Sequence, residues 1–319
     1  MRVMLKTLTG ATMIISLAAL VAEGAAQSLT IYEIQFTEDE DGDSYYNNTV
    51  VDCAGGICAG KYPGSRPRLI LQDPNFPDGW GGIQVKDWTF GDLFDNVEIG
   101  DWVSLTNMLV EEFRGTTFLQ WQTAYDPGFT IVSQNNPLPP YLPVSVSDIP
   151  APVYDPNDDG WYVENHDAEP YESMRLIVWD VTVTALDLGK EADNYNLEDA
   201  NGNSCWVADY MNVDVPPGDK YHPFVSMGQH FCAVSGVFEQ YTRLTYGWDY
   251  YQLVTLSSED LFLCGDLNHD GCVDHGDLGV LLADWGCTGG NCPGDCDGDG
   301  DTDHADLGIV LTQWGEGCP

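Results

Sequence analysis

Oxygen-bearing side chains recur at every second position in two stretches near the C-terminal end. The first is Gly265-Asp-Leu-Asn-His-Asp-Gly-Cys-Val-Asp-His-Gly-Asp277. The second, about 29 residues on, runs from Gly294 to Asp306 as Gly-Asp-Cys-Asp-Gly-Asp-Gly-Asp-Thr-Asp-His-Ala-Asp. A calcium ion takes six to eight hard oxygen ligands, and a loop of 12 residues can supply them from positions 1, 3, 5, 7, 9 and 12. In the first stretch those positions are Asp266, Asn268, Asp270, the carbonyl of Cys272, Asp274 and Asp277. In the second they are Asp295, Asp297, Asp299, the carbonyl of Asp301, Asp303 and Asp306. Both carry glycine at position 6 (Gly271, Gly300), where the chain must turn sharply. Two loops in the same register imply two bound Ca2+ ions.

The elements around the loops follow from periodicity. After position 12, Leu278, Leu281, Leu282 and Trp285 fall at helical spacing, as do Leu307, Val310, Leu311 and Trp314, which predicts one apolar helix face per loop. Each unit resembles half of an EF-hand, with two departures. Position 12 is Asp rather than Glu, and Leu261-Phe262-Leu263-Cys264-Gly265 reads as the end of a strand rather than an entering helix. A loop with only its exiting helix, present twice, resembles the type I dockerin module over residues 264–319. That resemblance implies calcium-dependent docking to a cohesin-type domain. It places the partner-reading residues near loop positions 10 and 11, here His275-Gly276 and His304-Ala305, on a near-twofold surface. The module's six cysteines (Cys264, Cys272, Cys287, Cys292, Cys296, Cys318) depart from the ordinary dockerin pattern.

The N-terminal end reads as an address. Arg2 and Lys6 precede an apolar run and small residues, with a cut expected after Ala26, which predicts a secretory signal peptide over 1–26 and an exported, extracellular or cell-surface protein without a membrane span. With 11 Lys and Arg against 51 Asp and Glu, the net charge is -40. A chain this acidic lacks the basic stripe that marks most nucleic-acid binders. Ten cysteines in an exported chain predict disulfides. Cys53 and Cys58 are compatible with a local bridge, Cys205 and Cys232 are expected to bond each other, and the six in the module allow fifteen pairings, of which none is chosen.

Between these ends the pattern is β. Candidate strands are Leu29–Phe36, Thr49–Cys53, Arg68–Gln72, Gly82–Lys86, a long one from Gly100 to Arg114, and Thr116–Gln122. Strands at this spacing with Gly, Asp and Pro turns predict an antiparallel barrel. The elements Ile31-Tyr-Glu-Ile-Gln35, Leu71-Gln-Asp73, Ile99-Gly-Asp-Trp-Val103 and Glu112-Phe-Arg-Gly-Thr-Thr117 resemble the OB-type barrel found beside catalytic domains of secreted bacterial nucleases. Residues 136–168 form a Pro-rich connector, expected to act as a semi-rigid spacer. Glu169-Pro-Tyr-Glu-Ser-Met174 resembles the start of a second such barrel, with strands expected at 175–185, 205–209, 231–238 and 250–255. The expected organisation is therefore a mainly β chain: a barrel over 28–135, a second over 169–262, and the small α-helical calcium module over 264–319.

No catalytic constellation stands out. His166, His222 and His230 show no metal-ligand spacing, and in the architectures that the barrels resemble the nuclease domain lies elsewhere. Asp39-Glu-Asp-Gly-Asp43 and Asp155-Pro-Asn-Asp-Asp-Gly160 read as charged loops with a weaker calcium reading. Glu111 and Glu112, as strand neighbours, point to opposite faces. OB barrels bind oligonucleotides or oligosaccharides on the face of strands 2 and 3. Trp80, Trp88, Trp102, Trp121, Trp161, Trp179, Trp206, Trp248, Tyr241, Tyr246, Tyr250 and Tyr251 therefore supply rings for core packing or for stacking on a sugar polymer or single-stranded nucleic acid. The sequence supports a non-enzymatic docking protein first. An accessory subunit or enzyme of polysaccharide or nucleic-acid breakdown comes next, and a calcium-binding matrix protein third.

Overall fold

The computed structural model describes residues 28–39, 42–89, 91–157, 159–189, 192–289 and 292–318. The expected signal peptide lies outside them. The chain is mainly β.

The first barrel is built from β1 (Val50–Tyr62), β2 (Arg68–Gln72), β3 (Gly82–Asp87), β4 (Trp102–Phe113) and β5 (Thr116–Trp121), with β6 (Gly128–Ser133) added beside β4. Strand order is β1-β2-β3-β5-β4, and β4 pairs back onto β1 to close the ring. β1 can serve both neighbours because it bends. Gly55 has φ +78°, and a β-carbon there would lie 1.5 Å from the Val103 carbonyl oxygen, so only glycine fits. Alternate residues fill the interior: Leu69 and Leu71, Ile83 and Val85, Val103 and Leu105, Leu119 and Trp121. On β4 the inward set resumes as Met108 and Val110 after Asn107, whose φ of +55° marks the step.

The expected strand at 29–36 is instead the short helix α1 (Ile31–Gln35). Thr30 and Glu33 form a reciprocal capping box that satisfies the first free amides, and Ile31 and Ile34 drop into the barrel end. The Thr-x-x-Glu spacing is the signal that outweighs the β-branched composition.

The second barrel repeats the order with β10 (Arg175–Leu188), β11 (Asn194–Asp199), β12 (Ser204–Ala208), β13 (His230–Arg243) and β14 (Trp248–Val254), running β10-β11-β12-β14-β13 and closing on β10. In both barrels the third and fifth strands run parallel, so the pair shares one OB-like topology. The connector is not a spacer. Its β7 (Leu142–Pro143) pairs with β10, and Val146 and Ile149 are buried in the second barrel's core. The hairpin of β8 (Val153–Asp155) and β9 (Gly160–Tyr162) extends the sheet beside β14.

The barrels are packed against each other. Residues of β2 and β3 that point away from their own core face the second barrel: Gln72 Oε1 accepts from Arg175 N, and Arg68 and Gln84 reach Glu239. Thr116 Oγ1 donates to the Gln240 carbonyl, and the Thr242 amide donates to that of Arg114. The strand 2–3 face expected to be open for ligand in the first barrel is therefore covered. Of the rings named above, Trp161, Trp206, Tyr241, Tyr250 and Trp248 form a satellite cluster, Trp121 and Tyr251 lie in the barrel cores, and Trp179 and Tyr246 are exposed.

After β15 (Leu261–Phe262) come the two loops with helices α2 (His275–Ala283) and α3 (His304–Thr312). Three disulfides, Cys232–Cys264, Cys272–Cys318 and Cys287–Cys292, suit an oxidising environment. Neither expected body pair forms, and Cys53, Cys58 and Cys205 are buried thiols. Cys53 and Cys58 lie along one strand, where a rise of about 3.3 Å per residue holds them too far apart for a disulfide. Cys205 points into the barrel, whereas Cys232 sits on the other side of β13 and meets Cys264. Among the described residues no helix is long and apolar enough to cross a membrane.

Candidate metal loops and docking face

Both acidic loops fold around their own side-chain oxygens. Asp266 accepts from the amides of Asp270 and Gly271 at 3.1 and 2.9 Å, and Asp295 accepts from Gly298 and Gly300 at 2.7 and 2.9 Å. At the far end Asp277 takes the amides of Asn268 and Asp274, while Asp306 takes those of Cys296, Asp297 and Asp303. The turn needs left-handed backbone at position 6, where Gly271 and Gly300 have φ +84° and +97°. Asp274 and Asp303 cap the following helices by accepting from Gly276 and Ala305.

In the second loop the carboxylates converge in two sets of three, whereas among the described residues those of the first loop form no such set. Oxygens of Asp295, Asp297 and Asp299 lie within 4.8 Å of one another, as do those of Asp301, Asp303 and Asp306. Crowding has an electrostatic signature. Asp266 is raised by burial and by Asp277 and Asp270, and Asp301 is raised by the charge of Asp299 and its neighbours. A dense set of hard oxygens that repel one another is the donor set a divalent cation satisfies. The Cys272 sulfur, at position 7 of the first loop, is engaged to Cys318.

The two halves are related by a near-twofold arrangement. Gly286 N donates to the Thr302 carbonyl and Gly315 N to the Val273 carbonyl, both at 2.9 Å, at equivalent positions of the two repeats. The His275 ring meets the Trp314 edge with centroids 4.9 Å apart, and His304 meets Trp285 at 5.0 Å. His275, Gly276, His304 and Ala305 are all exposed. The helix stripe divides rather than burying whole. Leu281 and Val310 are fully buried, whereas Leu282 and Leu311 are both 56 % exposed and Trp285 and Trp314 40 % and 38 %. Two nine-residue helices share one small core, so each contributes one row of side chains to it and presents the other outward.

The module is fastened to the second barrel. Besides Cys232–Cys264, Gln313 Nε2 donates to the His230 carbonyl at 3.0 Å and Gln229 Nε2 to Glu316 at 2.8 Å. Val273, Leu281 and Val310 are continuous with the barrel's core.

A second feature was missed in the sequence because its residues are scattered. Between the barrels lies a cleft of about 250 Å³ whose lining includes the basic Arg68, Lys86 and Arg114, the acidic Glu239 and Asp193, and the ring of Phe118. Lys86 Nζ sits 3.3 Å from the Phe118 ring centre, and burial, helped by Arg68, pulls its pKa to about 7. His166, His222 and His230 lie apart from the cleft's lining. His166 contacts Tyr251 and Asp249, His222 lies beside Phe224, and His230 contacts Thr182 and Asp180. Asp155 Oδ1 accepts from the backbone and side-chain amides of Asn157.

No family model and no curated protein matches the chain. Among solved structures it is similar to a murine DNA-binding protein bound with double-stranded DNA, at 11 % identity and TM-score 0.27, over 64 % of this chain and 91 % of that one. It is also similar to a replication protein A heterotrimer bound to single-stranded DNA, at 10 % identity and TM-score 0.24, over 73 % of this chain and 69 % of that one. Likenesses this slight say nothing of what this chain binds.

Proposed function

We propose that the chain is an exported, non-enzymatic protein whose C-terminal module docks, when its two loops hold calcium, onto a cohesin-type domain. The module resembles type I dockerins in having two loop-plus-helix units and no entering helices. The observation that carries this reading is the pairing of two acidic loops with two equivalent exposed sets, His275 with Trp314 and His304 with Trp285. Asp266, Asn268, Asp270, Asp274, Asp277 and the Cys272 carbonyl would hold one ion. Asp295, Asp297, Asp299, Asp303, Asp306 and the Asp301 carbonyl would hold the other. What bound calcium supplies is the positive charge that lets these oxygens close together and fixes α2 against α3.

In this reading the fused barrels are the cargo. Their cleft gathers Arg68, Lys86 and Arg114, three of the nine basic residues left after the expected signal cut, beside aromatic rings. Glu239 and Asp193 share that lining, Arg68 is paired with Glu239 and burial pulls Lys86 to about 7, so the cleft is not strongly cationic and a sugar polymer fits it more easily than a nucleic acid. Docking is tested with an immobilised cohesin domain, with calcium and with a chelator, oxidised and reduced, and with the Asp266→Ala/Asp295→Ala variant. Binding that needs calcium and both loops supports the reading. Equal binding in chelator, or no binding in calcium, overturns it.

A further inference from the structure

Asp43, in an acidic sequence stretch that docking leaves unused, lies close to a seam where three glutamates from distant parts of the chain meet. Glu112 comes from the end of β4. Glu169 and Glu172 flank the helical turn that feeds β10, and they keep only 4 % and 2 % exposure. Glu112 Oε1 accepts from Ser44 N at 2.9 Å and from Thr117 Oγ1 at 2.6 Å. Glu172 Oε1 accepts from Thr117 N at 3.0 Å and from Gln35 Nε2 at 3.2 Å, and Glu169 Oε2 accepts from the Tyr251 hydroxyl at 2.6 Å. Thr117 thus touches two of the carboxylates. The third lies against Gly42, where a β-carbon would come within 2.8 Å of Glu169 Oε2.

What these bonds leave over points to a ligand. Glu112 Oε2 and Glu172 Oε2 are buried and have no hydrogen-bond partner, and Glu172 is almost wholly enclosed. Among the described residues no Lys or Arg forms an ion pair with any of the three glutamates. An ionised carboxylate taken out of water costs several kcal/mol unless a counter-charge or a full set of donors meets it. Three together, with two oxygens idle, need either protons or a cation. Protons would remove the charge by turning an oxygen into a donor. A hard cation uses both idle oxygens.

We propose that the seam between the barrels binds a third divalent cation of the calcium class, held by Glu112, Glu169 and Glu172 beneath the Gly42–Ser44 backbone. Burial, with Asp43 adding to it, lifts Glu112 to about 7; burial, with Glu112 and Asp43 adding and His166 opposing, lifts Glu169 to about 8. The three carboxylates are less tightly gathered than Asp295, Asp297 and Asp299, so binding would draw their side chains inward by rotamer changes. Because Glu112 belongs to one barrel and Glu169 and Glu172 lead into the other, the ion would clamp the two together.

The test uses the full chain with its docking loops disabled by Asp266→Ala and Asp295→Ala. Native mass spectrometry and equilibrium dialysis with Ca2+ should still find one ion, and the barrel melting transition should rise by several degrees in millimolar calcium. Adding Glu112→Gln and Glu172→Gln should remove both effects. No residual ion and no calcium-dependent shift in the loop-disabled chain overturns the seam site. That measurement needs no glutamate variant to fold, and it is independent of whether the docking reading survives.

Discussion

Replacing Arg68 by Met tests whether the two barrels form one folding unit. The guanidinium of Arg68, on β2, lies 3.5 Å from Glu239 of β13, with side-chain exposures of 17 % and 5 %. Removing one partner of a buried pair costs roughly 3–5 kcal/mol, because the other charge is stranded. Two features place this case at the low end. Glu239 keeps the Tyr210 hydroxyl at 2.6 Å, Gln252 Nε2 at 2.7 Å and Gln84 Nε2 at 3.3 Å. Arg68 Nε is itself buried without a partner, so its removal relieves a cost of about 1 kcal/mol. Met keeps an unbranched apolar side chain but gives up the guanidinium's placement over Phe118 and Tyr210. The expected loss is therefore about 3 kcal/mol. For a unit of this size that lowers the melting temperature by about 6–12 °C. Calorimetry should show one transition moving as a whole, and adding Glu239→Gln should recover about half the loss, since the stranded charge is then gone. A shift under about 2 °C, two separate transitions, or further loss on adding Glu239→Gln would refute the reasoning.

Three further outcomes are expected. Asp87 has its pKa lowered: burial pushes it up, but donors from Thr89, Phe94 and Leu93 outweigh that, so its stabilisation is present above the unfolded value near 4 and is lost as pH falls through the folded value. Asp87→Ala should cost about 2–3 kcal/mol at pH 7 in urea unfolding, and the cost should shrink at acid pH. Lys86 titrates near 7 when folded and about 10.5 when unfolded, so the unfolded chain holds more protons between those values and stability rises with pH across that window; Lys86→Met should flatten this part of the pH profile. Cutting Cys232–Cys264, whose ends are 32 residues apart, by Cys232→Ala with Cys264→Ala should destabilise the attachment of the C-terminal module by about 3–4 kcal/mol on the loop-entropy model, read as faster amide exchange in α3.

What was legible in the sequence is what depends on neighbours in the chain. The loop ligands lie within 12-residue windows whose spacing fixes their geometry, so Asp266–Asp277 and Asp295–Asp306 read directly. Arg175–Ala185 and Thr116–Gln122 read as strands because one barrel face is apolar at every second position. β11 was missed: Asn194-Tyr-Asn-Leu-Glu-Asp199 alternates, but only Tyr195 and Leu197 face inward and the rest is polar. Thr30 to Gln35 was misread because β-branched and aromatic residues mask a capping box. Cys232 could not be matched to Cys264 from spacing, since the pairing depends on which side of β13 the sulfur leaves. The glutamate seam is less visible still. Glu112, Glu169 and Glu172 become neighbours only when the face of β2 and β3 is covered by a second copy of the same fold.

The covalent tie between β13 and the residue that opens the C-terminal module has a mechanical meaning. A tension applied through α2 and α3 would not first straighten a slack tether. It would pass through Cys264 into Cys232, two residues inside a 14-residue strand whose first half pairs with β10 and β15 and whose second half pairs with β14. Pulling would shear a barrel wall, with many hydrogen bonds loaded at once, rather than peel an end strand one bond at a time.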